Sequence, residues 1–463
     1  MSVRMKSLLP VGLLALLGAC SSGSDGTAAT GDAGSTPGPV GTITGADGGP
    51  GRREDGGAAC AAPVDALRPR REACAFAAGA KATEPLGVTD DQRRAIPIKH
   101  VVVVMKENRS FDHLLGRLSK AGQPDAEPVP DTWTCKDASG SPVAPFHATT
   151  TCVATDPPHQ WDEMHAQANG GKMDGFVTSG ASSTPTSSDG HFTMGYSDQG
   201  DLPFYYWLAS TYAIADRYFP SVLSGTWANR DYLVAATSKG TRNTQSDPQL
   251  DGVPLVFDQL DAAKVSWNVY TDDFAPLEFS VSWGSRKRWG KSKDFFAAAK
   301  AGKLPAVSFI DATTAFAPPS TDEHPPGDVQ AGEAWTRSVY DAVVHGPSWA
   351  DTALFFTYDE AGGFADHVPP PRSCAPSVDQ AEFTELGIRV PLIVISPWAR
   401  RHFVSHAVHE HTSILRFIEL LFDLPALTAR DANSDALLDM FDFACPDTSA
   451  LPDAPAAGTG ACP

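Results

Sequence analysis

Positive charge is scarce in this chain of 463 residues: 36 Lys and Arg stand against 55 Asp and Glu, a net charge of −19. A surface that acidic repels polyphosphate backbones, which argues against nucleic acid as a partner. Long apolar runs are missing too. Beyond residue 20 no segment approaches the about 18 uninterrupted apolar residues of a membrane-spanning helix, so the remainder is expected to be soluble. Of the eight cysteines, none sits in a CxxC or comparable metal spacing, which removes the common zinc motifs. No internal repeat is present. What remains is an ordinary mixture, 42% hydrophobic and 20% charged, which excludes wholesale disorder and suits one large or two medium domains.

The N-terminus reads as an address. Arg4 and Lys6 form a positive start, residues 8–17 are apolar apart from Pro10 and Gly12, and the stretch ends Leu17-Gly18-Ala19-Cys20. Small residues before the cut suit a signal peptidase. A cysteine in that position resembles the bacterial lipobox, in which Cys20 would be lipidated and become the first residue; ordinary secretion is the alternative. Residues 21–57 are dominated by Gly, Ser, Thr, Ala and Asp, with Val40 and Ile43 as the only large aliphatics. Such a stretch cannot bury enough to fold and is expected to be flexible. The organisation expected is therefore a lipoprotein signal peptide (1–20), a Gly/Ser/Ala-rich tether and lead-in (21–96) and one folded domain (97–463). That places an exported, monomeric domain at the cell envelope, held to the membrane by a lipid anchor. Export permits disulfides. Cys135–Cys152 is the pair most readily drawn, with Cys60–Cys74 and Cys445–Cys462 as local options that leave Cys374 free.

From residue 97 strand-like and helix-like runs alternate. Residues 100–105 are a near-continuous β-branched run of the kind buried on both faces of a sheet. Residues 265–270, 306–310, 353–358 and 391–396 are similar, with amphipathic stretches at 331–345 and 412–422. This alternation predicts an α/β fold, a mainly parallel sheet with helices on both faces. In open sheets of this kind ligands collect beyond the carboxyl ends of the strands.

Chemistry-bearing residues do follow the strands. Glu107 and Asn108 end the first and offer hard oxygen ligands to a divalent cation; a helix start capped by Ser110 or Asn108 is the plainer alternative. Asp359 and Glu360 follow 353–358, and two adjacent acids after a buried strand are costly unless a cation neutralises them. Between them, Gly225-Thr226 precedes a helix-like run, where a hydroxyl faces orphan N–H groups and the positive dipole end. Thr226 is there either a nucleophile or a simple N-cap. His159 and His324 sit in Pro-rich loops, placed to contact a phosphate oxygen or protonate a leaving group. His113 and His367 each follow an Asp and suit a structural Asp–His hydrogen bond. His402, His406, His409 and His411 read as surface or loop residues.

Together these segments resemble the bacterial phospholipase C/acid phosphatase family of phosphoesterases, within the alkaline-phosphatase-like superfamily. The matching pieces are residues 98–113, Gly225-Thr226-Trp227-Ala228-Asn229-Arg230, Tyr358-Asp359-Glu360 through Asp366-His367-Val368, residues 387–391 with 395–397, and residues 412–419. The resemblance implies a divalent metal held by Glu107, Asn108, Thr226, Asp359 and Glu360, with Asn108, His159 and His324 contacting the phosphoryl group. Thr226 would attack phosphorus to give a phosphothreonine that water then hydrolyses. One departure bears on the nucleophile: Gly225 precedes Thr226 directly and Ala228 precedes Asn229, where the family often has Pro, so Ser224 is the alternative nucleophile. A sulfatase is disfavoured because Cys374-Ala375-Pro376-Ser377-Val378 lacks the arginine of that motif.

The expected activity is metal-dependent hydrolysis of a phosphoester or phospholipid, as a phospholipase C-like phosphodiesterase or an acid phosphatase. Trp161, Trp227 and the run Phe204-Tyr205-Tyr206-Trp207 would either cage a choline head group or pack in the core. The competing class is a non-catalytic surface lipoprotein that keeps the fold as a binding module.

Overall fold

The apolar run after His100 forms the centre of the sheet. In the computed structural model, which describes residues 65–459 apart from 184–187, 244–248, 279, 284–286, 315–316, 445 and 447–449, strand β1 (His100–Lys106) lies between two parallel neighbours. Strand β6 (Thr352–Tyr358) pairs with it from His100↔Thr352 to Lys106↔Tyr358, and strand β5 (Val307–Ile310) flanks its other side. Outward from β5 come β3 (Trp267–Tyr270) and β4 (Trp289–Gly290), both parallel. Outward from β6 come β7 (Leu392–Ile395), β2 (Ala213–Ala215) and β8 (Phe403–Ser405). Only β7 runs against the rest. The expected mainly parallel α/β sheet is present, with this one reversed strand.

Successive strand residues point to opposite faces, and each face of β6 meets a different helix. Phe355 packs edge-on against Phe417 of the helix His411–Phe422, while its neighbour Phe356 meets Tyr205 of the helix Pro203–Thr211. Helices therefore cover both sides. The aromatic run 204–207 belongs to this packing: Phe204, Tyr205 and Tyr206 are buried, so it is core and forms no cage. No helix among the described residues is long and apolar enough to cross a membrane.

The expected signal peptide with Cys20, the 21–57 stretch, Cys60, Cys445 and Cys462 lie outside the described residues. The lead-in at 65–96 is folded against the body. The Gly79 amide donates to the Ala426 carbonyl at 2.8 Å, and the Phe76 amide to Asn433 Oδ1 at 3.0 Å. Cys74 is bonded to Cys374, which corrects the Cys60–Cys74 option and the reading of Cys374 as free. Cys135 is a free, buried thiol and Cys152 is itself disulfide-bonded, so the two do not pair with each other. Sequence spacing could not reveal a bond between residues 300 apart. Bonded in this way, Cys374 is no sulfatase nucleophile. Closing so long a loop restricts the unfolded chain, so replacing Cys374 with Ser is expected to cost about 2–5 kcal/mol, read as a lower melting temperature. An unchanged melting temperature would mean that the lead-in adds nothing to stability.

A partly buried charge pair gives the fold a pH dependence. His409 is buried, contrary to the surface reading, and its Nδ1 lies 2.8 Å from Asp435 Oδ1, with Asp439 beyond Nε2 at 3.6 Å. Burial opposes its charge, but Asp435 and Asp439 outweigh burial and raise the imidazole to about 10. Asp435, also against burial, is lowered by His409 to about 2. The histidine's contribution is complete below its unfolded value of about 6.5 and is lost as pH rises through about 10. The aspartate's is complete above about 3.9 and is lost as pH falls through about 2. His409→Gln should therefore flatten the alkaline fall in melting temperature and cost about 3 kcal/mol near neutrality. A parental slope would contradict the pairing.

Candidate active site

Because β1 and β6 are paired to their last residues, whatever follows them emerges side by side. Glu107-Asn108 and Asp359-Glu360 are those residues. The Asp359 amide donates to the Lys106 carbonyl at 3.0 Å, and the Asn108 amide to Asp359 Oδ1 at 3.3 Å. Asn108 turns sharply at φ +65°, a left-handed conformation that Asn tolerates better than most residues. Gly362, at φ +62°, comes so close to this turn that a Cβ there would lie 2.4 Å from the Asn108 carbonyl oxygen. The glycine after the acidic pair is thus required by contact as well as by backbone conformation.

Thr226 opens the helix Thr226–Ala235, and Gly225 is its N-cap. The threonine is therefore no cap: its Oγ1 donates to Asn108 Oδ1 at 3.4 Å. Asn229, one turn into the helix, fixes the approach. Its Oδ1 accepts from the Val222 amide at 3.0 Å, and its Nδ2 donates to the carbonyls of Ser224 at 2.7 Å and Gly225 at 3.2 Å. Ser224, the alternative nucleophile, is fully buried and donates its hydroxyl backwards to the Arg242 carbonyl. Of the two hydroxyls, that of Thr226 is the one presented to Asn108.

The two histidines come together. His159 Nε2 lies 3.2 Å from Asn108 Nδ2 and 3.7 Å from Glu360 Oε1, and its ring is 5.7 Å from that of His324. Ligand atoms of Asp156, His159 and His324 lie within 4.8 Å of one another. Their electrostatics diverge. Burial holds His159 below the usual histidine range against the pull of Asp156. For His324 burial acts in the same direction, but Glu107 and Asp156 outweigh it and raise the imidazole. One imidazole favours the neutral form and the other the charged form, the division of labour that acid–base chemistry needs.

A buried arginine knits the acids. Arg230 donates to Asp359 Oδ2 at 3.1 Å, Asp311 Oδ1 at 3.1 Å, Glu107 Oε1 at 3.0 Å and the Met105 carbonyl at 3.2 Å. One cation does not balance the carboxylates gathered here. Burial pushes Asp311 and Asp359 up to about 6 and Asp322 to about 7. Burial and then Asp359 drive Glu360 well above the ordinary range. Glu360 Oε1 and Asp322 Oδ2 are buried without a hydrogen-bond partner. An excess of buried carboxylate oxygen with unfilled lone pairs suits a hard divalent cation, so the residues present fit the metal that the sequence implies. Arg230 bonds one oxygen of Glu107 and one of Asp359, so the fit rests on Glu360, Asn108 and the lone pairs that these bonds leave on the two acids.

All of Glu107, Asn108, His159, Thr226, His324, Asp359 and Glu360 thus lie in one place. Four further residues were missed. Asp311 follows β5 and would have been found by applying the strand-end rule there. Asp322 and Arg230 carry no local signal of burial. His411, taken for a surface residue, is buried behind the acids, with Nε2 2.7 Å from the Asp359 carbonyl oxygen and Nδ1 2.9 Å from Tyr218 Oη. Of the two other Asp–His steps, His367 Nδ1 pairs with Asp112 at 2.6 Å, whereas His113 Nδ1 reaches the Gly195 carbonyl at 2.8 Å. Trp161 has the Arg242 guanidinium 4.8 Å over its ring, so that face is already covered by a cation.

The phosphoesterase family model matches residues 98–425, more than half of the chain. Non-specific phospholipase C1 of Arabidopsis thaliana is 33% identical over 378 residues, spanning 73% of this chain and 69% of the relative. Phospholipase C B of Mycobacterium tuberculosis (strain CDC 1551 / Oshkosh) is 31% identical over 429 residues, spanning 77% and 80%. Among solved structures, a protein in the alkaline phosphatase superfamily from Vibrio parahaemolyticus aligns over 73% of this chain and 69% of its own, with 10% identity and a TM-score of 0.38.

Proposed function

The chain belongs to the phosphoesterase family and is a hydrolase of phosphoric esters, and from that premise we propose a metal-dependent, phospholipase C-like enzyme that works through a phosphothreonine at Thr226. The observation that carries this reading is the hydrogen bond from the Thr226 hydroxyl to Asn108, a residue itself joined to Asp359 and His159. A nucleophile, an acidic cluster and two histidines meet at the carboxyl end of a buried strand pair. A non-catalytic binding module would not need a buried Glu360 oxygen left without a hydrogen bond in the same site as a hydroxyl so presented.

Glu107, Asn108, Thr226, Asp359 and Glu360 would hold the cation. When bound, it supplies neutralisation of the phosphoryl oxygens and makes the nucleophile's hydroxyl easier to deprotonate. The protein's own groups do the rest. Asn229 and Asn108 orient the Thr226 oxygen, which releases its proton to water and forms its bond to phosphorus as the bond to the alcohol breaks. His324, whose charged form is favoured, protonates the departing alkoxide, and His159 steadies the phosphoryl group from the opposite side of Asn108. Water then attacks the phosphothreonine, releasing the phosphate or phosphorylated head group and restoring the threonine. The substrate class that the relatives' names support is phospholipid. The N-terminal signal and the disulfide support an exported enzyme, with Cys20 as its lipid anchor.

Hydrolysis of p-nitrophenyl phosphate measured beside p-nitrophenylphosphorylcholine tests this. Turnover of the diester at a rate equal to or above that of the monoester is the expected result. Failure to turn over any phosphoester would favour the binding module.

A further inference from the structure

Glu107, Asn108, Asp359 and Glu360 ride on the ends of two strands paired along their whole length. His324 has no such support, for it sits in the loop between β5 and the helix Val329–Val344. The residue before it is unusual. Glu323 is fully buried and adopts φ +77°, a left-handed conformation that a glutamate occupies only when its surroundings enforce it. Its carboxylate accepts from Tyr205 Oη at 2.5 Å and Tyr358 Oη at 2.6 Å, and pairs with Lys106 Nζ at 3.0 Å. Lys106, also fully buried, donates further to the carbonyls of Thr321 and, at 3.2 Å, Gly332. The helix Val329–Val344 leaves room for the side chain only because residue 332 is Gly: a Cβ there would stand 2.2 Å from Glu323 Cγ and Oε1. Three donors from three separate elements therefore converge on one carboxylate whose backbone leads directly into His324. Two of them, Lys106 and Tyr358, immediately precede Glu107 and Asp359, so the loop is fastened to the floor of the site itself.

We infer that Glu323 is a positioning residue that fastens the His324 loop to the strand ends carrying the acids, and so aims His324 at the phosphoryl group. It touches no substrate and acts through His324. The inference rests on the reading of His324 as a reacting group. Glutamine at 323 keeps the shape but cannot accept from all three donors, and it leaves the Lys106 cation buried without a counter-charge.

Steady-state hydrolysis of a short-chain phosphatidylcholine, whose alkoxide leaving group needs a proton, by the parent, Glu323→Gln, His324→Gln and the double variant tests it, with Tyr358→Phe as a milder substitution that keeps the fold if Glu323→Gln does not. Glu323→Gln should lower kcat about 10–100-fold, the range for groups that orient a working ligand, with KM changed less than about threefold. His324→Gln should lower kcat about 100-fold, and the double variant should fall no more than about threefold below it. Tyr358→Phe should lower kcat in the parent and have no further effect in the His324→Gln background. Losses that multiply in the double variant, or a parental kcat for Glu323→Gln, would overturn the positioning role and leave the reading of the site intact. A parental kcat for His324→Gln would overturn both.

Discussion

Thr226→Ala is expected to lower kcat/KM for p-nitrophenyl phosphate by at least about 10⁴-fold, because removing a covalent nucleophile abolishes the path it opens. Its melting temperature should stay close to that of the parent, since the hydroxyl caps nothing and makes one long hydrogen bond, 3.4 Å to Asn108. Thr226→Ser keeps the oxygen and should retain measurable turnover, whereas Ser224→Ala should be nearly neutral for catalysis because that hydroxyl is spent on the Arg242 carbonyl. The contrast matters more than any single rate. If Thr226→Ala kept parental activity while Ser224→Ala lost it, the nucleophile would be the serine two residues earlier.

The second large effect is that of the cation. Treatment with a chelator is expected to lower turnover by about 10³-fold, in line with the several kcal/mol that a Lewis acid supplies at a phosphoryl centre, and added divalent metal should restore it. Glu360→Gln should weaken apparent metal affinity about 10–100-fold. The physical reason is the unpaired Oε1, buried beside Asp359 and driven toward the neutral form by burial. An amide there cannot take up the negative charge that a bound cation would draw out. Binding to the folded state also stabilises it, so the chelator should lower the melting temperature of the parent more than that of Glu360→Gln. Equal activity with and without chelator would mean that Arg230 alone neutralises the acids and that no metal takes part.

Much of this site was legible because its parts are strand-terminal. A run such as Val101-Val102-Val103-Val104 announces a doubly buried strand, and the polar residues that interrupt it at Glu107 and Asn108 have few reasons other than chemistry to be there. The same logic located Asp359 and Glu360. What escaped the sequence was long-range pairing. Arg230 was visible in its motif, yet nothing local tells that its guanidinium runs under three carboxylates from three other segments. His409 and His411 belong to a histidine-rich stretch that looks solvated, but a short strand at His409–Glu410 and the helix His411–Phe422 turn them inward against Asp435 and Asp359. The Cys74–Cys374 bond was hidden for the same reason, as was the short strand Ala213–Ala215, whose three residues have no periodicity to read. The aromatic run 204–207 takes the core alternative offered for it: it is helical and supplies Tyr205 to the hub at Glu323.

The most direct test of the account is to quench the enzyme in acid during turnover of p-nitrophenyl phosphate and locate any phosphoryl group on the digested chain by mass spectrometry. One phosphoryl group on the peptide carrying Thr226, formed in the parent and absent in Thr226→Ala, is the expected result. A phosphoryl group on another residue, or none at all under conditions of rapid turnover, would contradict it.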